Sequence, residues 1–223
     1  MTLLKAVLLH GLGRSARSMR PIERALRHRG YNVLNVDYRS RSADVTTLAA
    51  QVAREVQQWA SGSPVDFVTH SLGGILLRVM VAEGYLPRGL VRRAVMLGPP
   101  NGGSELADVL SAAPVFGRAY RRFTGPAGLE LGVGPSGIAA RLPPVSFELG
   151  VIAGTRSFNP LFSAILGEEN DGKVRVSRTK VAGMRDFLAV PHWHPTLMAA
   201  PTVVMQAMHF LEVGRFQRGQ ATK

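Results

Sequence analysis

The stretch Val65-Asp-Phe-Val-Thr-His-Ser-Leu-Gly-Gly74 changes character at its centre. Residues 65–69 alternate around the valines at 65 and 68, the pattern of a short strand, and an apolar run from Ile75 to Glu83 has the character of a helix. Ser71 falls at the junction. A tight strand-to-helix turn there lifts its hydroxyl above the sheet edge and aims the positive end of the helix at it. That is the placement a serine nucleophile needs.

The surrounding chain is ordinary in size and unusual in charge. Its 223 residues, 46% hydrophobic, suffice for one domain spanning 1–223 with a full core. The absence of cysteine excludes disulfides, thiolate metal sites and a cysteine nucleophile. The segment Met1–His10 holds a single lysine and reads as a first strand rather than an export signal. No run approaches the roughly 18 uninterrupted apolar residues of a spanning helix, so a cytoplasmic location is the expectation.

The net charge of +12 is carried mostly by arginine. Arg14, Arg17, Arg20, Arg24 and Arg27 recur at three- and four-residue steps along one side of a helix expected over Ala16–Arg29. Such a row is a solvated helix face or a docking surface for an anionic membrane. No aromatic residues interleave with these arginines, and nucleic acid is not an expected partner.

Strands are expected at Lys5–His10, Tyr31–Tyr38, Val65–Thr69, Arg93–Leu97, Phe147–Ala153 and Val181–Val190. Helical periodicity occupies Ala43–Ala60, the run after Ser71, and a terminal region from Leu197 to about Arg215. Alternating strands and helices imply a mostly parallel central sheet with helices on both faces and chemistry at the strands' carboxyl ends. The turn Gly11-Leu12-Gly13-Arg14 has no third glycine at Ala16 and no Gly-Lys-Ser/Thr, so it is not a nucleotide loop. From Asn101 to about Pro144 the alternation lapses into a Gly- and Pro-rich stretch with apolar Leu106, Val109, Leu110, Val115, Phe116 and Phe123. Residues 101–146 are therefore either a small cap or pocket wall, or an exposed excursion with one short helix.

Thr69-His-Ser-Leu-Gly73 resembles the Gly-x-Ser-x-Gly nucleophile turn of the α/β-hydrolases, with Thr69 in place of the first glycine. The His10-Gly11-Leu12 turn is similar to the oxyanion loop of bacterial lipases. Asn170-Asp-Gly-Lys-Val174 looks like the turn that carries the acid in lipase-like hydrolases, and His194-Pro-Thr-Leu-Met198 resembles the segment around their base. The resemblance to the bacterial lipase and esterase branch covers nearly the whole chain and implies the α/β-hydrolase fold. It implies Ser71 as nucleophile, Asp171 as acid and His194 as base, in the family's chain order. Backbone N–H groups of Leu12 and Leu72 would bind the oxyanion; Leu72 opens the helix and has no intrahelical acceptor.

Alternatives remain at two positions. Asp171-Gly172 also suits a plain turn, with Asp186 and Glu169 as other acids. His192 is the other candidate base, and its pairing with His194 as metal ligands lacks a third donor. His10, His28 and His70 come too early in the chain, and His209 lies in the terminal helix pattern. The implied activity is carboxylic-ester hydrolysis through an acyl-serine on a small-molecule or lipid ester, with no cofactor. Its rivals are acyl transfer or thioester hydrolysis by the same triad, and a non-catalytic module that docks on membranes through the arginine row.

Overall fold

The computed structural model describes residues 3–113 and 116–218; Val115 and the Phe116 side chain, counted above among the apolar residues of the insertion, lie outside that description. Six strands are formed: β1 Lys5–Leu9, β2 Asn32–Val36, β3 Val65–His70, β4 Val91–Leu97, β5 Glu148–Gly154 and β6 Asp186–Val190. The helices are α1 Arg20–His28, α2 Val45–Ala60, α3 Leu72–Ala82, α4 Glu105–Ala112, α5 Phe116–Leu129, α6 Ile138–Arg141, α7 Pro160–Leu166, α8 Val176–Thr179 and α9 Pro201–Val213.

The sheet runs β2-β1-β3-β4-β5-β6 with every neighbouring pair parallel. β3 sits between β1 and β4, and all six of its residues are buried. Its alternation divides two cores. Val65 and Phe67 pack with Leu48, Val52, Ile75 and Leu76 of α2 and α3. Val68 faces the opposite layer with Ile22 and Leu26 of α1 and Val203 and Leu211 of α9. A parallel sheet covered on both faces brings all six strands' carboxyl ends to one edge, and the loops leaving that edge carry the candidate site.

The first helix region begins with a 3₁₀ turn over Ala16–Met19, and α1 proper starts at Arg20 with Pro21 in its first turn. Arg14, Arg17, Arg20, Arg24 and Arg27 are all exposed, and Arg27 pairs with Glu23 at 3.0 Å. The Asp44 carboxylate accepts the Thr47 N–H at 2.8 Å and fixes the start of α2.

Several expectations need correction. The stretch 101–146 is largely helical, containing α4, α5 and α6. Its helices are broken by glycine and proline, which hid them from periodicity. At Gly125 (φ 65°) a β-carbon would lie 2.1 Å from the Arg41 carbonyl, so α5 kinks and resumes at Pro126. Beyond the Asp171-Gly172 turn the chain forms the short helix α8. The last strand begins at Asp186, because residues 181–184 close a turn from the Met184 N–H to the Val181 carbonyl with Gly183 at φ 87°. The terminal region splits into a 3₁₀ segment, His194–Ala199, and α9, separated by Ala200, with Pro201 opening α9.

The insertion is pinned to the sheet layer by Arg78 of α3, which is almost fully buried. Its guanidinium donates to the carbonyls of Asn101 (2.9 Å), Leu142 (3.3 Å) and Pro143 (3.3 Å), the two ends of the insertion. The fork geometry of arginine lets one side chain hold both ends.

Candidate active site

The turn after β3 is built around one strained residue. Ser71 has φ 52° and ψ −120°, a conformation costly for a side chain larger than glycine's, and it is held by its N–H to the Leu97 carbonyl at 2.9 Å. α3 starts at the next residue. Gly73 must be glycine, since a β-carbon there would lie 2.6 Å from the Leu9 carbonyl. Thr69 fits because it belongs to the extended strand and not to the turn, and because Gly74 leaves the space beside its hydroxyl: a β-carbon on Gly74 would lie 3.3 Å from Thr69 Oγ1.

Asp171 follows β5 and α7, and His194 follows β6. His194 Nδ1 lies 2.6 Å from Asp171 Oδ2, and the His194 N–H also donates to the Asp171 carbonyl at 3.0 Å. Asp171 Oδ1 accepts the N–H groups of Lys173 (3.0 Å) and Val174 (2.9 Å), so both carboxylate oxygens are occupied. Asn170 accepts the Gly172 N–H at 2.9 Å and closes the turn. Gly98 (φ 55°) passes beneath this pair, where a β-carbon would come within 3.0 Å of both Asp171 Oδ2 and His194 Nδ1. With its Nδ1–H given to the carboxylate, His194 leaves Nε2 without a partner among the described residues.

Ser71, His194 and Leu12 line one cavity of about 280 Å³. Leu106 and Leu110 of α4, Tyr120 and Phe123 of α5, and Leu131 form its apolar wall, so the insertion supplies the pocket wall. Among the described residues neither the Leu12 N–H nor the Leu72 N–H finds a protein acceptor outside its own element. The loop bearing Leu12 is braced from below. The buried His10 ring stacks on Tyr38 at 4.1 Å, its Nδ1 lies 2.9 Å from the Gly11 carbonyl, and the Tyr38 hydroxyl donates to the His10 carbonyl. Gly13 N–H donates to Ser40 Oγ at 2.9 Å. Burial pushes His10 below the ordinary imidazole range and keeps it neutral.

The alternatives lie elsewhere. His192 Nε2 lies 3.0 Å from Thr202 Oγ1 and borders a separate surface cleft. Asp186 sits at the start of β6, on the far edge of the sheet, accepting the Phe216 N–H at 2.8 Å. Glu169 is exposed and His28 ends α1. Among the described residues no group of three or more His, Cys, Asp or Glu side chains could hold a metal ion, and no helix is long and apolar enough to cross a membrane.

Three residues of the site escaped the sequence reading. His70, set aside for its chain position, lies with its Nε2 at 3.0 Å from the His194 carbonyl. Arg14 and Lys173, read as part of a helix face and of a turn, both line the cavity. The signal was adjacency: Arg14 follows the Leu12 loop by two residues and Lys173 follows Asp171 by two.

A parallel sheet that places a strained serine, an imidazole and a carboxylate at its carboxyl edge defines a hydrolase-type α/β fold, and solved structures share it. The mature Bacillus licheniformis lipase BlEst2 superposes with TM-score 0.69 at 19% identity, covering 95% of this chain and 92% of that one. Its propeptide form gives 0.73 at 19% identity over 99% of this chain, which spans about half (52%) of that one. The phospholipase PlaB from Legionella pneumophila gives 0.70 at 18% identity, over 92% of this chain and 58% of that one. At these identities the likeness is one of fold. No curated protein sequence matches. The model of the alpha/beta hydrolase family matches residues 6–213, and the chain belongs to that family.

Proposed function

We propose that the protein is a serine carboxylic-ester hydrolase of the esterase or lipase type. The observation that carries the reading is the shared cavity: Ser71, on its strained turn, opens into the same pocket as His194, whose far nitrogen is tied to Asp171. His194 Nε2 takes the Ser71 hydroxyl proton as Oγ bonds to the ester carbonyl carbon. The tetrahedral oxyanion sits between the Leu12 and Leu72 N–H groups, each such donor contributing about 2.7–4 kcal/mol. The carbon–oxygen bond to the alcohol breaks, and His194 returns the proton to that oxygen. Water then repeats the sequence on the acyl-serine, giving acid and free enzyme. Asp171 fixes the imidazole tautomer throughout.

The cavity, about 280 Å³, is slightly smaller than the roughly 300–1,000 Å³ typical of small-molecule sites, so short and medium acyl chains are the expected substrates. The test is turnover of p-nitrophenyl esters across acyl lengths, with product analysis in the presence of an acceptor alcohol. Free acid as the main product supports hydrolysis; acyl transfer to the alcohol at the expense of free acid would identify a transferase, and no turnover at any length would contradict the reading.

A further inference from the structure

The cavity is cationic on one side. Arg14 and Lys173 both line it, and both are exposed and so lie at its rim. Among the described residues neither forms an ion pair. The carboxylate beside them, Asp171, is buried with both oxygens already engaged by His194 and by the N–H groups of Lys173 and Val174.

Each cation is held by the backbone of the site itself. Lys173 is fixed by its own N–H to Asp171 and by its carbonyl, which accepts the Ser104 hydroxyl at 2.8 Å. Arg14 follows the Leu12 loop, with its N–H on the Gly11 carbonyl at 3.2 Å and its guanidinium 3.4 Å from the Pro195 carbonyl. The two charges repel. Partial desolvation by the cavity wall and the Arg14 guanidinium pull the Lys173 ammonium below its ordinary range, against the Asp171 carboxylate, and both cations add to the burial that weakens protonation of His70. An anion placed between them would relieve that repulsion, which the Asp171 carboxylate offsets only in part at Lys173.

We infer that the site takes esters that also carry an anionic group, a phosphate or carboxylate, seated on Arg14 and Lys173 while the acyl chain lies along Leu106, Leu110 and Phe123. The substrate class rests on the ester-hydrolase reading above; the anion subsite does not. Two unpaired cations on the rim of an apolar cavity recognise an anionic amphiphile in preference to a neutral one of equal length.

The test separates the two claims. Binding is measured by calorimetry on Ser71→Ala protein with octyl phosphate, octyl glucoside and inorganic phosphate. Octyl phosphate should bind at least about ten-fold more tightly than octyl glucoside at low salt, and Arg14→Gln/Lys173→Gln should weaken it about ten-fold or more. Arg54→Gln/Arg88→Gln removes two exposed charges that do not line the cavity and should change binding by less than about two-fold. Equal affinities for the two amphiphiles, equal losses in both double variants, or inorganic phosphate binding as tightly as octyl phosphate would overturn the inference.

In the enzyme with Ser71 intact, 1-octanoylglycerol 3-phosphate should exceed 1-octanoylglycerol in kcat/KM by about ten-fold, the ratio collapsing toward unity in Arg14→Gln/Lys173→Gln. A ratio near unity in the unsubstituted enzyme would overturn the substrate class. Anion-selective binding without turnover of either ester would refute the hydrolase reading and leave the anion subsite standing.

Discussion

The Nε2 of His70 lies 3.0 Å from the backbone carbonyl of His194, with the two rings 4.8 Å apart. Since a carbonyl only accepts, Nε2 carries the proton, and His70 clamps the loop that holds the candidate base. Burial, the neighbouring His194 and the backbone around it set its protonation, the net effect holding it well below the ordinary imidazole range. His70→Leu, which leaves the His194 carbonyl without its donor, should cost about 1–3 kcal/mol of stability and lower kcat with little change in KM. His70→Gln restores a donor and should recover part of kcat. Unchanged kcat in His70→Leu, or a loss confined to KM, would show that the clamp does not position the base.

Asp171→Asn should lower kcat by about 10⁴-fold, because the amide cannot hold the imidazole in the tautomer that frees Nε2. Asp186→Asn and His192→Gln, whose side chains face away from the cavity, should each leave esterase activity within about two-fold of the parent. Steady-state kinetics on one p-nitrophenyl ester decides this.

Stability should fall on mild acidification. His10 and His70 are both held neutral in the folded chain, below the ordinary value of 6.5, while in the unfolded chain they protonate near that value. The unfolded state therefore binds more protons below about pH 6.5, and stability declines as pH drops, by up to about 1.4 kcal/mol per pH unit for each histidine. Urea midpoints measured from about pH 7.5 to about pH 5.5 should decrease, and His70→Gln should flatten the slope. A flat midpoint across that range would contradict the burial argument.

Arg78 holds both ends of the insertion through carbonyls alone, and burial lowers its guanidinium to about 10, still charged at neutral pH. Lysine cannot fork to Asn101 and Leu142 together. Arg78→Lys should destabilise the protein by about 2–4 kcal/mol and raise KM for longer acyl chains as the wall formed by α4 and α5 loosens. Denaturant unfolding and a chain-length series measure the two effects.

The strand-turn-helix around Ser71 was legible because the pattern change is local, and the parallel sheet followed from the alternation of strands and helices. What lets Thr69 stand in place of the first glycine is not legible locally, since its compensation lies five residues on, at Gly74, where sequence shows only another glycine. The helices of the insertion escape periodicity because α5 is interrupted at Gly125 and α6 is preceded by Gly132, Gly134 and Gly137, which in sequence resemble loop, while three of these four close against backbone or carboxylate groups in the fold. Asp171 and His194 were chosen through a family likeness, and the proximity of their side chains depends on two loops after different strands, which no local pattern encodes. Arg14 and Lys173 stayed hidden because a charge on a turn is ordinary until folding sets it on the cavity rim with no ion pair among the described residues.

The proposed chemistry depends first on Ser71 as nucleophile. Treatment of the folded protein with a fluorophosphonate, followed by peptide mapping, tests it without assuming a substrate. A single adduct is expected on the peptide bearing Ser71, absent in Ser71→Ala, and reduced to trace levels in His194→Gln, in which no base activates the hydroxyl. Labelling that persists in folded Ser71→Ala, or a folded parent protein that takes no label, would contradict it.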